Sequence, residues 1–428
     1  MNAEVMPSPS PAEAATCRRL ADEVEDNLRR HVLGKWFPQA VDRERGGFHQ
    51  NFREDWTRST TRNEKSLVYQ SRLSWLATQA ARRYPAEAEA YLGYARHGLD
   101  FLAGVLWDPE HGGFFWAVDE NGRPNTERGV EKHVYGIAFG IYAAAAASDA
   151  AAAPDAGTLA RRAFDWLDER AHDAENGGYF EALTRDGKPI LTSPSGGARL
   201  DAIGTRYGFK SMNSHIHLLE AFTALHEVSP DDATLRTRLR ETFELVRDKI
   251  AVAPGCLNLF FTPDWRAVPD HDSFGHDVET AFLLAEAAAA LGVPDDARTW
   301  AVARSLVDHA LDTGWDGEYG GFFEKGSAFG PATDTTKVWW TQAEGLNALL
   351  QMHERFGRET SRYWDAFTRQ WNFIRTRQTD PRHGGWFPAV RRDGAPVPGR
   401  PKSDAWTEGY HQGRALLNVS AVLRRLAE

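Results

Sequence analysis

Cysteine is almost missing from this chain: Cys17 and Cys256 are the two in 428 residues, too few for a disulfide framework or a cysteine-based zinc site. Long apolar runs are missing too. The most apolar stretch, Ala143 to Ala153, is short and weakly hydrophobic, well under the roughly 20 residues that span a bilayer. Basic residues hold no surplus: 50 Lys and Arg face 60 Asp and Glu, a net charge of −10, which argues against nucleic-acid binding through phosphate neutralisation. The opening MNAEVMPSPSPA lacks the charged-then-apolar layout of a secretion signal, so residues 1–14 read as a mobile tail and the cytoplasm as the compartment. No Ser- or Pro-rich linker interrupts residues 15–428, which predicts one domain there; composition leaves monomer and homodimer equally open.

Aromatic residues, by contrast, are plentiful. They make up 11% of the chain, with 15 Trp, more than a minimal core needs and suited to lining a sugar-binding cleft. A pattern Asp-x-x-x-Gly-Gly-aromatic occurs five times, its first glycines at 46, 112, 177, 320 and 384, at intervals of 66, 65, 143 and 64 residues. The double interval implies a decayed copy, and Gly255 to Phe261 keeps the trailing aromatics near the right place. Six units follow. Each has room for two helices: apolar residues recur at helical spacing over Asn63–Arg83 and Glu87–Leu106, Val130–Ala147 and Leu159–Arg170, Met212–Val228 and Leu235–Val252. The same spacing holds for Asp277–Leu291 with Asp295–Asp312, Lys337–Phe356 with Ser361–Thr376, and Leu417–Leu426. An open array would carry polar capping repeats, yet the end units are as apolar as the middle ones. The fold class is therefore all-α, an (α/α)6 barrel of six helix pairs with short Gly-Gly hairpin turns.

Histidines with polar partners stand where four of the inner helices begin. Asn213 and His217 are four apart and share a helix face, from which His215 diverges. His276 and Glu279 are three apart; His411 follows Trp406 and Tyr410; His133 precedes Tyr135. Any one helical histidine is more often a satisfied core residue. Their common placement after a Gly-Gly turn, at one end of the ring, is what argues for one shared pocket. Trp339 and Trp340 are adjacent and point about 100° apart, so at least one is free to face that pocket. Three histidines and a glutamate can hold a cation, but no H-E-x-x-H pair is present, and no metal or other cofactor is expected.

At these segments the chain resembles the N-acylglucosamine 2-epimerase superfamily, in its cellobiose 2-epimerase and mannose 2-epimerase branch. The resemblance is carried by KHVYGIAFGIYA (132–143), GGYFEALTRDG (177–187), KSMNSHIHLLEA (210–221), DSFGHDVE (272–279), DTTKVWWTQAE (334–344) and GYHQGRALL (409–417), in the family's order. It implies epimerisation at C2 of a reducing-end aldose, glucose-type to mannose-type, on a small-molecule sugar and without a redox cofactor. By resemblance His276 and His411 are the general base and acid at C2, and His217 with Asn213 opens the pyranose ring. Arg72 falls near the sugar oxygens, and Tyr135, Glu279, Trp339 and Trp406 fall at pocket positions; Trp340, beside Trp339, is a further substrate-binding candidate. Thr341 replaces the family's usual proline, Thr407-Glu408-Gly409 replaces its Cys-Pro pair, and Ile190–Thr205 has no clear counterpart.

The chemistry explains the residue types. A proton beside an aldehyde is less acidic than imidazolium by on the order of ten units, an uphill cost of roughly 14 kcal/mol. Charge stabilisation at the enediolate oxygens, by Arg72 or a protonated histidine, lowers that cost. Two imidazoles on opposite faces of C2 then exchange the configuration. This predicts one neutral and one cationic histidine, a bell-shaped pH profile, and Glu279 accepting a hydrogen bond from His411 or His276. An aldose–ketose isomerase, such as mannose to fructose, shares the enediolate. An (α/α)6 glycoside hydrolase needs two carboxylates, for which Asp277 and Glu279 are the candidates although they diverge on a helix. A non-enzymatic binding barrel gives no reason for the gathered histidines.

Overall fold

The computed structural model describes residues 9–61, 63–124, 131–150, 153, 155–194 and 200–428. Among them are twelve α-helices of twelve residues or more. In chain order they are α1 Pro11–Asn27, α2 Leu67–Arg83, α3 Ala88–Phe101, α4 Val134–Asp149, α5 Ala156–Ala171, α6 Met212–Val228, α7 Ala233–Leu245, α8 Phe274–Ala290, α9 Ala297–Thr313, α10 Trp339–Phe356, α11 Arg362–Phe373 and α12 Tyr410–Arg425. The even-numbered helices form an inner ring, α2 against α4, α6, α8, α10, α12 and back to α2, and each odd-numbered helix packs outside an inner one. This is the (α/α)6 barrel that the repeat count predicts.

The two rings differ in sequence for a physical reason. Inner helices have neighbours on every side, so α4 is apolar almost throughout, and small residues let its backbone approach α2 and α6 closely. Outer helices present one face to water and keep an amphipathic pattern: α11 buries Tyr363, Ala366, Phe367, Gln370, Trp371 and Phe373. One core cluster runs from Cys17 to Leu423. Four outer helices end in a wider i→i+5 turn (Leu28–Leu33, Leu102–Leu106, Val246–Ile250 and Ile374–Gln378) before the chain swings back.

The Gly-Gly element forms the hairpins expected of it. In each intact copy the aspartate accepts hydrogen bonds from the amides two and three residues on, as Asp42 does from Glu44 and Arg45. Gly113 has φ +71°, and a Cβ there would lie 2.9 Å from the Trp166 ring, so no other residue fits. The decayed copy still makes a hairpin, Ala251–Val252 with Cys256–Leu257, around Gly255. A short strand ahead of each inner helix pairs with the hairpin of the next unit, Lys132–His133 with Ala182–Leu183 for example, and Phe52 with Ser403 closes the circle.

The sequence pattern does not reveal the lysine that ties each turn down. Lys65, Lys132, Lys210, Lys337 and Lys402 reach Asp42, Asp108, Asp173, Asp316 and Asp380 at 2.7, 3.1, 2.7, 2.9 and 2.6 Å, and all ten side chains are buried.

The expected mobile tail, 1–14, needs correction. A helix begins at Pro11, where the Ser10 hydroxyl accepts from the Glu13 amide and the Glu13 carboxylate accepts from the Ser10 amide. Ser10-Pro11, the end of the run that reads as a mobile tail, is a helix start, because proline is well accommodated in a first turn. Residues 1–8 of that tail lie outside the described residues.

Candidate functional site

The ring of hairpins brings the first turns of all six inner helices to one end of the barrel. Ser66 and Ser211 cap α2 and α6, accepting from the amides of Tyr69 and Ser214, and the His133 imidazole caps α4 at the Tyr135 amide. These caps set the helical phase. Arg72, His217 and Glu279 are each the sixth residue of their helix, His276 is third in α8, and Tyr135 and His411 are second in α4 and α12. All ten residues singled out from the sequence, Arg72, Tyr135, Asn213, His217, His276, Glu279, Trp339, Trp340, Trp406 and His411, border one cavity of about 230 Å³, with Ile203 as a further wall. Both indoles of the Trp pair border it, not one alone.

The three imidazoles share an arrangement. His217 Nδ1 is 3.0 Å from Glu220, His276 Nδ1 is 2.7 Å from the Ser273 hydroxyl, and His411 Nδ1 is 2.7 Å from Glu344. A carboxylate accepts, so Nδ1 of His217 and of His411 carries the proton and Nε2 keeps the lone pair. Trp340 lies against both His276 and His411, ring centroids 4.7 and 5.7 Å away, and Tyr135 meets His217 edge-on. His215 instead has Nδ1 at the Ser211 carbonyl and accepts from the Tyr179 amide with Nε2, a structural role in keeping with its divergent direction.

Beneath the histidines lies a buried charged layer. The Arg414 guanidinium donates to Glu279 and Glu344 at 2.6 and 2.7 Å, to the Tyr410 hydroxyl at 2.6 Å, and to Glu220. Burial alone would raise Glu220, but Arg414, His217 and Tyr410 hold it down to about 2. Burial wins at Glu344 and raises it. Arg72 donates to Glu408 at 2.8 Å and to the Tyr135 hydroxyl at 3.1 Å.

One expectation is corrected here. Glu344, not Glu279, is the hydrogen-bond partner of His411; Glu279 stands 3.8 Å off and is taken up by Arg414. Burial pushes His276 down to about 4, and burial with the positive charge of Arg72 pushes His411 well below its ordinary value. Among the described residues Glu279, Glu344 and His411 form one of three groupings close enough to hold a metal ion. Arg414 already supplies a cation to both carboxylates. Sequence reasoning missed Glu220, Glu344, Glu408, Tyr410 and Arg414. A signal existed for two of them, since Glu220 follows His217 and Arg414 follows His411 by three residues. The hydrolytic pair fails on direction: Glu279 borders the cavity, while Asp277 turns to Asp272 and His309.

Residues 46–415 match the family model described as N-acylglucosamine 2-epimerase (GlcNAc 2-epimerase). The chain belongs to this family. It is 30% identical over 408 residues to a cellobiose 2-epimerase of Bacteroides fragilis, covering 94% of this chain and 98% of that protein. A D-mannose isomerase of Thermobifida fusca is 30% identical over 322 residues, covering 71% of this chain and 73% of that protein. The solved structure of cellobiose 2-epimerase from Spirochaeta thermophila superposes with a TM-score of 0.84 at 32% identity, covering 97% of this chain and 99% of that one. As a member of the N-acylglucosamine 2-epimerase family the protein is a sugar epimerase or isomerase. None of its described helices is long and apolar enough to cross a membrane.

Of the segments set apart in the sequence, only 190–205 reaches the cavity wall, through Ile203, while Thr341 and Glu408 are buried behind it. Glu408 places a buried carboxylate on Arg72, and the stretch without a counterpart delivers Ile203 to the wall and Asp201 to His133, 3.0 Å away; residues 195–199 of that stretch lie outside the described residues. Beyond Trp406 a second cleft of about 630 Å³ opens, bordered by Asn51, Phe115, Trp116, Glu131 and Asp404 among others. Trp406 borders both spaces and is 41% exposed.

Proposed function

We propose that the protein epimerises C2 of a glucose- or mannose-type reducing-end aldose through an enediolate, with His276 and His411 exchanging the proton. The observation that carries this reading is the common tether: three imidazoles around one cavity, each fixed through Nδ1 so that Nε2 is left for the substrate. His217, beside Asn213, passes a proton from O1 to the ring oxygen and opens the pyranose. One Nε2 then takes the C2 proton while Arg72 stabilises the charge that moves onto the enediolate oxygens. The base becomes an imidazolium; at His411, Glu344 and Glu279 favour that cation. The second imidazole returns a solvent-derived proton to the other face. Burial lowers the proton affinity of both imidazoles in the free site, so the donating one first takes its proton from solvent, and the base afterwards gives one back to solvent. The second cleft beyond Trp406 supports a substrate extended at its non-reducing side, a disaccharide of the cellobiose kind, with the reducing sugar in the inner cavity.

Proton NMR of cellobiose, mannose, glucose and fructose incubated in D₂O tests this directly. The expected early product is the C2 epimer of the aldose supplied, carrying deuterium at C2, while the remaining substrate is still protonated there. Fructose from mannose, with no aldose epimer, would replace the epimerase reading by the isomerase one. Free glucose from cellobiose would overturn both. A His276→Asn variant should lose interconversion yet still wash out the C2 proton of one epimer.

A further inference from the structure

Five of the six junctions between hairpin and inner helix hold a buried ammonium, and the sixth does not. Lys65, Lys132, Lys210 and Lys337 each stand two residues before an inner helix, and Lys402 stands farther ahead of the last. At the same place before α8 stands Asp272, which pairs with the next hairpin through Gly326 as the lysines' strands do. The decayed turn has also lost its aspartate, so a carboxylate has replaced the cation. Asp277 from the first turn of α8 and His309 from α9 close on it, with one ligand atom of each within 4.8 Å of the others.

The three side chains are 2, 0 and 6% exposed, and among the described residues neither carboxylate has a hydrogen-bond partner of good geometry; at looser geometry Asp272 has the Ser273 amide and the carboxyl of Asp277. Asp277 holds the position from which Gln70 and Gln342 accept from the Phe48 and Phe322 amides, and its counterpart amide, Leu257, accounts for one oxygen at most. His309 meets the Ala328 carbonyl through Nε2 at 2.9 Å, so Nε2 carries a proton; in the neutral ring Nδ1 then keeps a lone pair, whereas an imidazolium would pair it directly with Asp272. That lone pair points at Asp272 Oδ2, 3.4 Å away, and has no donor. Lone pairs facing lone pairs in a buried space call for a cation between them. Left alone, burial and mutual repulsion push Asp272 and Asp277 up towards sharing a proton, which is the competing state. Cys256 lies close enough for both carboxylates to help burial push its thiol up to about 12.

We propose that Asp272, Asp277 and His309 bind one divalent first-row transition-metal ion, zinc-like in its oxygen and nitrogen donors, where the other junctions hold lysine. The site lies apart from the sugar cavity, and the ion would pin α8, and with it His276, to the hairpin end of α9. The test uses full-length protein purified without a metal-affinity column, with metal counted by plasma mass spectrometry before and after chelator treatment and then after Zn²⁺ or Ca²⁺ is returned. Expected are one zinc per chain, a loss of several degrees in Tm on chelation, and recovery with Zn²⁺ and not Ca²⁺. Asp272→Lys, which restores the lysine of the other units, should fold, bind no zinc and be indifferent to chelator. His411→Asn should keep its zinc. A chelated wild-type chain that takes up no Zn²⁺ and melts unchanged would overturn the proposal in favour of a shared proton. Zinc kept by Asp272→Lys and lost by His411→Asn would overturn it in favour of the sugar cavity.

Discussion

Arg72 and His411 carry the charge changes that the proposed reaction demands, and each has a measurable signature. Arg72 is buried between Glu408 and Tyr135, so its guanidinium is held in place before any sugar arrives. Replacing it by Met should lower kcat by about 10²- to 10³-fold, the usual effect of removing one preorganised donor at a developing oxyanion. Because Arg72→Met also strands the buried Glu408 carboxylate, the double variant Arg72→Met, Glu408→Gln separates chemistry from folding. It should recover the wild-type Tm while staying slow. His411 acts as a base only when neutral. Burial and the Arg72 charge lower its affinity for protons, so the neutral form persists as pH falls below the ordinary histidine range. The acid limb of kcat/KM is therefore expected below pH 6, and Arg72→Met should move it upward. A wild-type limb at or above about 6.5, the pKa of a free histidine, would contradict this.

At the scale of the element, the hairpin-and-lysine junction ties down five of the six helix pairs. The repeat of Gly-Gly turns was legible because glycine is required where φ is positive and an aromatic ring presses on the backbone. The lysines were not legible, since a lone lysine before a helix looks like a solvated residue until the next turn folds over it. Lys402→Met leaves Asp380 buried with backbone partners alone and should cost about 3 kcal/mol of stability, measured by denaturant unfolding. Helix spans were read within a few residues for most of the chain. The first helix was missed because the signal for disorder, Ser and Pro together, is also a signal for a helix start. In the site, Glu220 and Arg414 repeat the spacing of the histidines they follow. Glu344 carries no such mark, because it reaches His411 from another helix, 67 residues away.

For the whole molecule, closure decides stability. The inner ring is continuous from α2 round to α12 and back, and the Phe52–Ser403 bridge joins the first hairpin to the last junction. An open array of repeats would survive losing its last helix, since each repeat depends only on its neighbours. A chain ending at residue 408 removes α12 and with it His411, Arg414 and one sixth of the inner wall. It should lose the cooperative melt followed by circular dichroism across all helices, whereas a solenoid would keep a melt of the remaining ones.

The sequence alone determined the number of units, the pairing of helices and the set of side chains at their first turns, because glycine spacing and hydrophobic period are local properties of a chain. Only the tertiary structure decided which carboxylate serves which histidine, that burial lowers the proton affinity of both His276 and His411, and that a buried cluster of two aspartates and a histidine lies where a lysine belongs. Those are contacts between helices far apart in the chain. Their energies come from burial and from charges a few ångströms away, which appear only when the ring closes.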